Sequence, residues 1–151
     1  MINRWSPSLL SDFEKCPFFF KVFYVEGRKK ELEKPKSYYT LGRTVHEALR
    51  GFFTLFVEER SLEKLEELYR QAWKDIPWEK RGFENKEEER EYGLRGIAML
   101  GWFYRNEDVK ARPKYLENFY EHALPSGVNL VGKIDRIDEN PDSSVTIIDY
   151  K

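Results

Sequence analysis

Two aspartates near the end of the chain lie in apolar, β-branched sequence where an unpaired charge is unexpected. Asp135 lies in the run 128–137 and Asp149 in the run 145–150, and Lys151 follows two residues later. Side chains alternate between faces along a strand, so Asp149 and Lys151 share a face, and an adjacent antiparallel strand can bring Asp135 to the same spot. Buried carboxylates that converge repel each other unless a cation lies between them. The pattern therefore favours a Mg²⁺ or Mn²⁺ site.

A divalent ion with a nearby lysine is suited to phosphodiester hydrolysis. Such an ion activates water and offsets the charge that develops on phosphate. Lys151 would add a compact positive charge beside it. The alternative for Asp149 and Lys151 is a simple ion pair on one strand face.

The elements that must position these groups fall into two parts. Residues 1–112 are predicted to be mainly helical, and residues 113–151 to form a three-stranded antiparallel meander that carries the active site. The predicted strands are 116–124, 128–137 and 145–150. Ser6-Pro7, Ser61 and Asn85 are typical helix starts. The fold class is mixed α/β, in a single domain over 1–151.

Composition limits the function classes. There are 26 basic and 27 acidic residues among 151, so the formal charge is −1 and any nucleic-acid site must be a local patch. Five basic residues of the 26–36 loop are either a solvated surface or a phosphate-contacting patch: Arg28, Lys29, Lys30, Lys34 and Lys36. The N-terminus lacks the apolar region of a signal peptide and there is a single cysteine, which indicates a cytoplasmic protein without membrane spans.

Four ordered sequence blocks resemble the PD-(D/E)XK nucleases, in their RecB-like branch. The two catalytic blocks are Gly132-Lys133-Ile134-Asp135-Arg136 and Ile148-Asp149-Tyr150-Lys151, which are similar to the GxxDR…(D/E)xK signature. The segment 6–17, ending in Cys16-Pro17, is similar to the opening helix of that branch, and 41–47 to its Gly-x-x-x-His helix. The resemblance implies a restriction-endonuclease-like core.

The resemblance also implies a role for each matching residue. Asp135 and Asp149 would bind the metal together with the imidazole of His46 and the backbone carbonyl of Tyr150, and Lys151 would be catalytic with the two aspartates. Without the resemblance, His46 could equally be a hydrogen-bonded core histidine. Glu117 resembles an acid on the first strand of the family.

The chain departs from the family pattern in two ways. The family continues into a helix and at least one further strand, so the chain is expected to be truncated there, and a terminal carboxylate at Lys151 would weaken cleavage. Some members hold a four-iron-four-sulfur cluster through four cysteines. Cys16 is placed like the first of these cofactor ligands, but a cluster would require further cysteines after residue 151. Alternatively, Cys16 is a small buried side chain.

The sequence thus predicts a metal-dependent deoxyribonuclease, an exonuclease of RecB-like type. Its expected setting is DNA repair and recombination or CRISPR spacer acquisition, with DNA as substrate and a helicase or a CRISPR adaptation protein as partner. An exposed sheet edge would allow oligomers. The alternative is a non-catalytic nucleic-acid-binding or assembly module that keeps the fold and needs a partner or its missing C-terminal part.

Overall fold

The computed structural model describes residues 2–150, and the mixed α/β prediction is confirmed. Six helices precede most of a four-stranded sheet. The helices are α1 (Pro7–Lys15), α2 (Pro17–Phe20), α3 (Lys29–Leu32), α4 (Ser37–Thr54), α5 (Leu62–Lys74) and α6 (Lys86–Asn106). The strands are β1 (Arg4–Trp5), β2 (Pro113–Ala123), β3 (Asn129–Glu139) and β4 (Val145–Ile148).

The predicted helix starts are confirmed by capping hydrogen bonds. The side-chain oxygens of Ser6, Ser61 and Asn85 accept backbone N–H groups from the first turns of α1, α5 and α6, at 3.2, 3.1 and 2.8 Å. Each bond satisfies a donor that a helix leaves unpaired at its start. The caps therefore fix where these three helices begin.

The sheet has the strand order β1-β3-β2, and β4 also pairs with β3. A five-residue connection joins β2 to β3, which is too short for a parallel crossover, so these neighbours are antiparallel. The β3 and β4 strands are antiparallel in a register that opposes Arg136 to Ile148 and Glu139 to Val145. The predicted meander is thus present in β2, β3 and β4.

Three local features differ from the sequence expectations. The short strand β1 was missed because two residues carry no alternation, and it pairs in parallel with the beginning of β3. The charged loop 26–36 contains the single-turn helix α3. The aromatic run 18–24 predicts one short helix or, alternatively, a buried strand, whereas it is divided between α2 and a π-helical turn, Lys21–Val25.

Contacts within the chain divide it into two compact units. The first unit comprises the residues up to Lys34 together with Glu117–Ile134, and the second comprises Pro35–Leu116 together with the residues from Asp135 onward. Strands β2 and β3 each contribute residues to both units. The prediction of one nuclease domain over 1–151 stays a prediction.

The first unit is organised around aromatic rings from its N-terminal segment. Trp5 stacks on Phe20 with ring centroids 5.4 Å apart, and Phe13 meets both rings edge-on. The Tyr24 hydroxyl donates to Asp12 at 2.6 Å. Phe20, Phe23 and Tyr24 therefore contribute to packing, whereas Phe18 and Phe19 of the same aromatic run are exposed and depart from the core placement that the run predicts.

The second unit has an apolar core built from α4, α5 and α6. Helical spacing places one face of α4 inward, and its largest buried side chains pack against α5 and α6. The core residues are Leu41, Val45, Ala48, Leu49, Phe52, Phe53, Leu65, Tyr69 and Leu100. This core holds α4 rigidly, and α4 carries the predicted ligand His46.

A close helix contact in this core makes a testable prediction. A Cβ at Gly96 on α6 would overlap the buried ring of Tyr69 on α5, whereas a Cβ at Gly93 would meet only Trp73, at 3.9 Å. Overpacking costs about 1–3 kcal/mol, and alanine in a helix gains up to about 1 kcal/mol over glycine. We expect Gly96→Ala to lower the free energy of unfolding in urea and Gly93→Ala to raise it slightly. Equal stability of the two variants would contradict this packing.

Candidate metal centre

Helix α4 positions His46 at the edge of the second unit's core. Its neighbour Val45 and the residue one turn on, Leu49, are buried, whereas Glu47 is exposed, so His46 lies at the border of the buried face. The His46 side chain remains 32% exposed. It is therefore held by a fixed helix yet remains accessible to solvent, which rules out a fully buried core histidine.

Asp135 is a buried carboxylate that contacts this histidine. The Asp135 residue is 8% exposed, and its Oδ1 lies 3.4 Å from His46 Nδ1. Its other oxygen, Oδ2, accepts the backbone N–H of Tyr150 at 2.8 Å. A buried carboxylate in a strand is costly without such partners, so these contacts account for its position. The structure thus brings together His46, Asp135 and the Tyr150 backbone.

The Tyr150 ring packs beside the same site. It meets the His46 ring edge-on with centroids 5.7 Å apart, and the Phe103 ring at the same distance. Burial raises the pKa of the Tyr150 phenol. The phenol therefore stays neutral at physiological pH and does not add a negative charge near Asp135.

Asp149 follows the last residue of β4, and its side chain lines a cavity of about 750 Å³. The walls of this cavity combine apolar side chains of α4 and α6 with charged side chains. Among its lining residues are Leu49, Met99, Trp102, Phe103, Arg136 and Tyr150. Among the described residues, the group whose ligand atoms could share a metal ion includes His46 and Asp135 but not Asp149.

Arg136, the residue after Asp135 in β3, forms a largely buried ion pair with Asp138. Arg136 donates to the two oxygens of Asp138 at 2.8 and 2.5 Å, and its guanidinium lies 4.2 Å from the Phe53 ring centroid. Burial alone would lower the pKa of Arg136, but the hydrogen bonds to Asp138 raise it. Asp138 lies inside β3, where it neutralises this arginine. Arg136 and Asp138 are two positions apart in a strand and therefore share a face, and this spacing is the sequence signal that indicates such a pair.

Glu117, which belongs to the first unit, has an unusual backbone. Its φ is 54°, one of two positive values at non-glycine residues in the part of the chain that is described. Its side chain is largely buried and pairs with Lys133. A left-handed conformation at a non-glycine residue within a strand is strained, and such strain is concentrated at functional sites.

Lys151, the predicted catalytic lysine, lies outside the described residues, and Cys16 has a local structural role. Cys16 is exposed, and its Sγ accepts the Phe19 backbone N–H at 3.4 Å as the N-cap of α2. The alternative interpretation of Cys16 as a small buried side chain is therefore wrong. Cys16 is the one cysteine of the sequence, so this chain does not itself supply four cysteine ligands for an iron–sulfur cluster.

Comparison with known protein families identifies the superfamily of the chain. Residues 4–151 match the family described as the PD-(D/E)XK nuclease superfamily. The chain belongs to this superfamily. No curated protein and no solved structure matches the chain. In the described part, 2–150, we find no helix with the length and apolarity needed to span a bilayer.

Membership of the PD-(D/E)XK superfamily indicates a metal-dependent nuclease that acts on DNA. The donors present in the second unit fit that chemistry. The carboxylate of Asp135 is a hard oxygen ligand, and the imidazole of His46 suits Mn²⁺ and other transition ions. His46 and Asp135 already lie within contact distance, so only small side-chain movements are needed for both to bind one ion.

Proposed function

We propose that this PD-(D/E)XK protein is a deoxyribonuclease of the RecB-like branch, acting as an exonuclease with Mg²⁺ or Mn²⁺. The observation that carries this proposal is the contact between the buried carboxylate of Asp135 and the imidazole of His46. The order of the sequence blocks around these two residues supports the RecB-like assignment. We place the protein in the cytoplasm, in DNA repair or CRISPR spacer acquisition, with a helicase or an adaptation protein as partner.

The proposed ligands extend beyond His46 and Asp135. Arg136 and Ile148 are paired in the β3–β4 register, so continuing the register by one residue would set Asp135 opposite Asp149. Directly opposed side chains share a face of the sheet. The backbone carbonyl of Tyr150 is proposed as a further oxygen ligand, because the N–H of the same residue is already fixed on Asp135.

Glu117 is also proposed as a functional acid, because it resembles an acid on the first strand of the family. It is largely buried and held in a strained backbone conformation. Its charge is balanced by Lys133. Lys133 is more than half exposed and can move away into solvent.

Each proposed residue has a defined task in hydrolysis. When bound, a divalent ion supplies Lewis acidity to the phosphodiester and offsets the negative charge of the acids. Asp135 and Asp149 provide the negative charge that holds the ion, and His46 tunes the site toward Mn²⁺. The Tyr150 N–H orients the Asp135 carboxylate. Lys151 is proposed to steady the charge that develops on phosphate.

The proposal is tested by incubating end-labelled single-stranded and duplex DNA with the protein in Mn²⁺, Mg²⁺ or EDTA. We expect slow cleavage from an end that depends on the metal and stops in EDTA. Thermal unfolding in the same buffers should show stabilisation by Mn²⁺. A protein that binds Mn²⁺ but cuts no DNA would be a non-catalytic module, which overturns the enzyme assignment.

The role of Glu117 has its own matched control on the same strand. Glu117→Gln should weaken Mn²⁺-dependent cleavage by at least about tenfold, since the charge of a proposed functional acid is lost. Glu121→Gln should leave cleavage within about twofold, because Glu121 pairs with Arg4 at 3.0 Å and no functional role is proposed for it. Equal cleavage by the two variants would remove Glu117 from the proposed functional residues.

A further inference from the structure

An exposed pair of tyrosines lies at the beginning of α4. Tyr38 and Tyr39 are 51% and 60% exposed, and their ring centroids are 4.5 Å apart. The other aromatic residues of α4, Phe52 and Phe53, are almost fully buried. Single exposed aromatic residues are common on protein surfaces, but two adjacent rings offer a continuous aromatic surface that folding itself does not need.

A lysine ammonium lies over both rings of this tyrosine pair. Lys36 Nζ is 5.6 Å from the Tyr38 ring centroid and 6.0 Å from the Tyr39 ring centroid. A hydrogen bond with Lys36 lowers the pKa of the Tyr38 phenol, in agreement with a positive charge beside it. Exposed aromatic rings beside cations are the groups with which proteins bind single-stranded nucleic acid: the rings stack on bases and the cations attract phosphates.

The outward face of α4 is positively charged, although the whole chain is not. Arg43 and Arg50 are exposed on α4, and Glu47 is its one acidic residue. Glu47 is paired with Arg50. Lys36 and Arg43 add positive charge at the beginning of this helix, on a chain whose formal charge is −1. Such a patch is the feature that a chain of this composition needs in order to bind nucleic acid.

The tyrosine pair is aligned with the metal centre along one helix. Tyr39 and His46 are seven residues apart, which is two helical turns, so they lie on the same face roughly 10 Å apart along the axis. Successive nucleotides of a stacked strand rise about 3.4 Å along its axis. The distance therefore corresponds to about three stacked nucleotides. Between them, a Cβ at Gly42 would meet no atom within 4 Å, so the helix surface there is open to a strand.

We propose that Tyr38 and Tyr39 stack on bases of a single DNA strand whose backbone follows α4 through Lys36 and Arg43 to the site of His46 and Asp135. The tyrosine pair thus sets the strand's path about three nucleotides from the phosphate to be cut. This inference rests on the proposed nuclease function and adds a substrate class to it, namely single-stranded DNA ends. The two tyrosines act as positioning residues.

The test is the affinity for a fluorescein-labelled oligothymidine 15-mer, measured by anisotropy with Ca²⁺ in place of Mn²⁺. The variant Tyr38→Ala/Tyr39→Ala should bind at least about tenfold more weakly, since alanine substitution costs roughly 5- to 150-fold per stacked base. The variant Tyr38→Phe/Tyr39→Phe should bind within about twofold of the wild type, because stacking needs the ring and not the hydroxyl. Phe56→Ala is the control, as Phe56 is 78% exposed beyond the other end of α4.

Two results would overturn the inference. One is unchanged binding by the alanine pair, and the other is equal weakening by Phe56→Ala. Mn²⁺-induced thermal stabilisation of the wild type and of the alanine pair is measured in parallel. If both are stabilised but oligothymidine binding does not change, the inference fails while the metal site stands. If the wild type itself is not stabilised by Mn²⁺, the proposed function fails first, and the inference fails with it.

Discussion

Replacing Asp135 with asparagine is expected to reduce Mn²⁺-dependent DNA cleavage by on the order of 1,000-fold. Asp135 is the buried carboxylate that contacts His46 and receives the Tyr150 N–H. Asparagine has nearly the same shape, and its side-chain oxygen can still accept that N–H, so the fold should be preserved. The lost feature is the negative charge that holds the ion. Single-turnover cleavage of end-labelled DNA measures the effect.

The control for this prediction is Asp142→Asn. Asp142 is an exposed aspartate in the turn before β4, where it accepts hydrogen bonds from Ser144. Its replacement should leave the rate of cleavage within about twofold. A cleavage rate for Asp135→Asn that is within tenfold of the wild-type rate would show that Asp135 does not hold the catalytic ion.

Replacing Arg60 with methionine is expected to lower the free energy of unfolding by about 3–5 kcal/mol. Arg60 is buried, and its guanidinium donates to backbone carbonyls of Phe53, Leu55, Val109 and Ala111 at 2.7–3.1 Å. Methionine fills the space but leaves these carbonyls without a donor. The end of α4 and the segment before β2 would lose their connection.

Urea unfolding measures this loss, and two variants make it interpretable. Arg60→Lys keeps the charge but not the planar fork of donors, so its stability should fall between that of the wild type and that of Arg60→Met. Arg70→Met removes an exposed pair with Glu66 on α5 and should cost less than about 1 kcal/mol. If Arg60→Met were as stable as Arg70→Met, the network of Arg60 would not hold α4 in place.

The helical elements were predictable from the sequence because their signals are local. Ser6, Ser61 and Asn85 cap the helices that they were expected to cap, and the helical spacing of apolar residues over 45–56 holds for Val45, Leu49, Phe52 and Phe53 but not for Phe56, which is exposed. Capping and amphipathic spacing depend only on neighbouring residues. The two-residue strand β1 has no such local signal, and its pairing with β3 depends on residues far along the chain.

The candidate site was only partly predictable. Ordered motifs identified His46 and Asp135, and the structure places them in contact. The ion pair between Arg136 and Asp138 was not predicted from the sequence. The strained backbone of Glu117 and the cluster of carbonyls around Arg60 carry no sequence signal, since both arise from how separate segments meet. Long-range contacts of this kind are set by tertiary packing and not by local propensity.

The most direct test of the account is Mn²⁺ binding followed by electron paramagnetic resonance and calorimetry on the wild type, His46→Ala and Asp135→Asn. The account predicts that the wild type binds Mn²⁺ at a site with nitrogen coordination, that His46→Ala loses the nitrogen signal, and that Asp135→Asn loses most of the affinity. Wild-type Mn²⁺ binding that neither substitution changes would contradict a metal centre at His46 and Asp135.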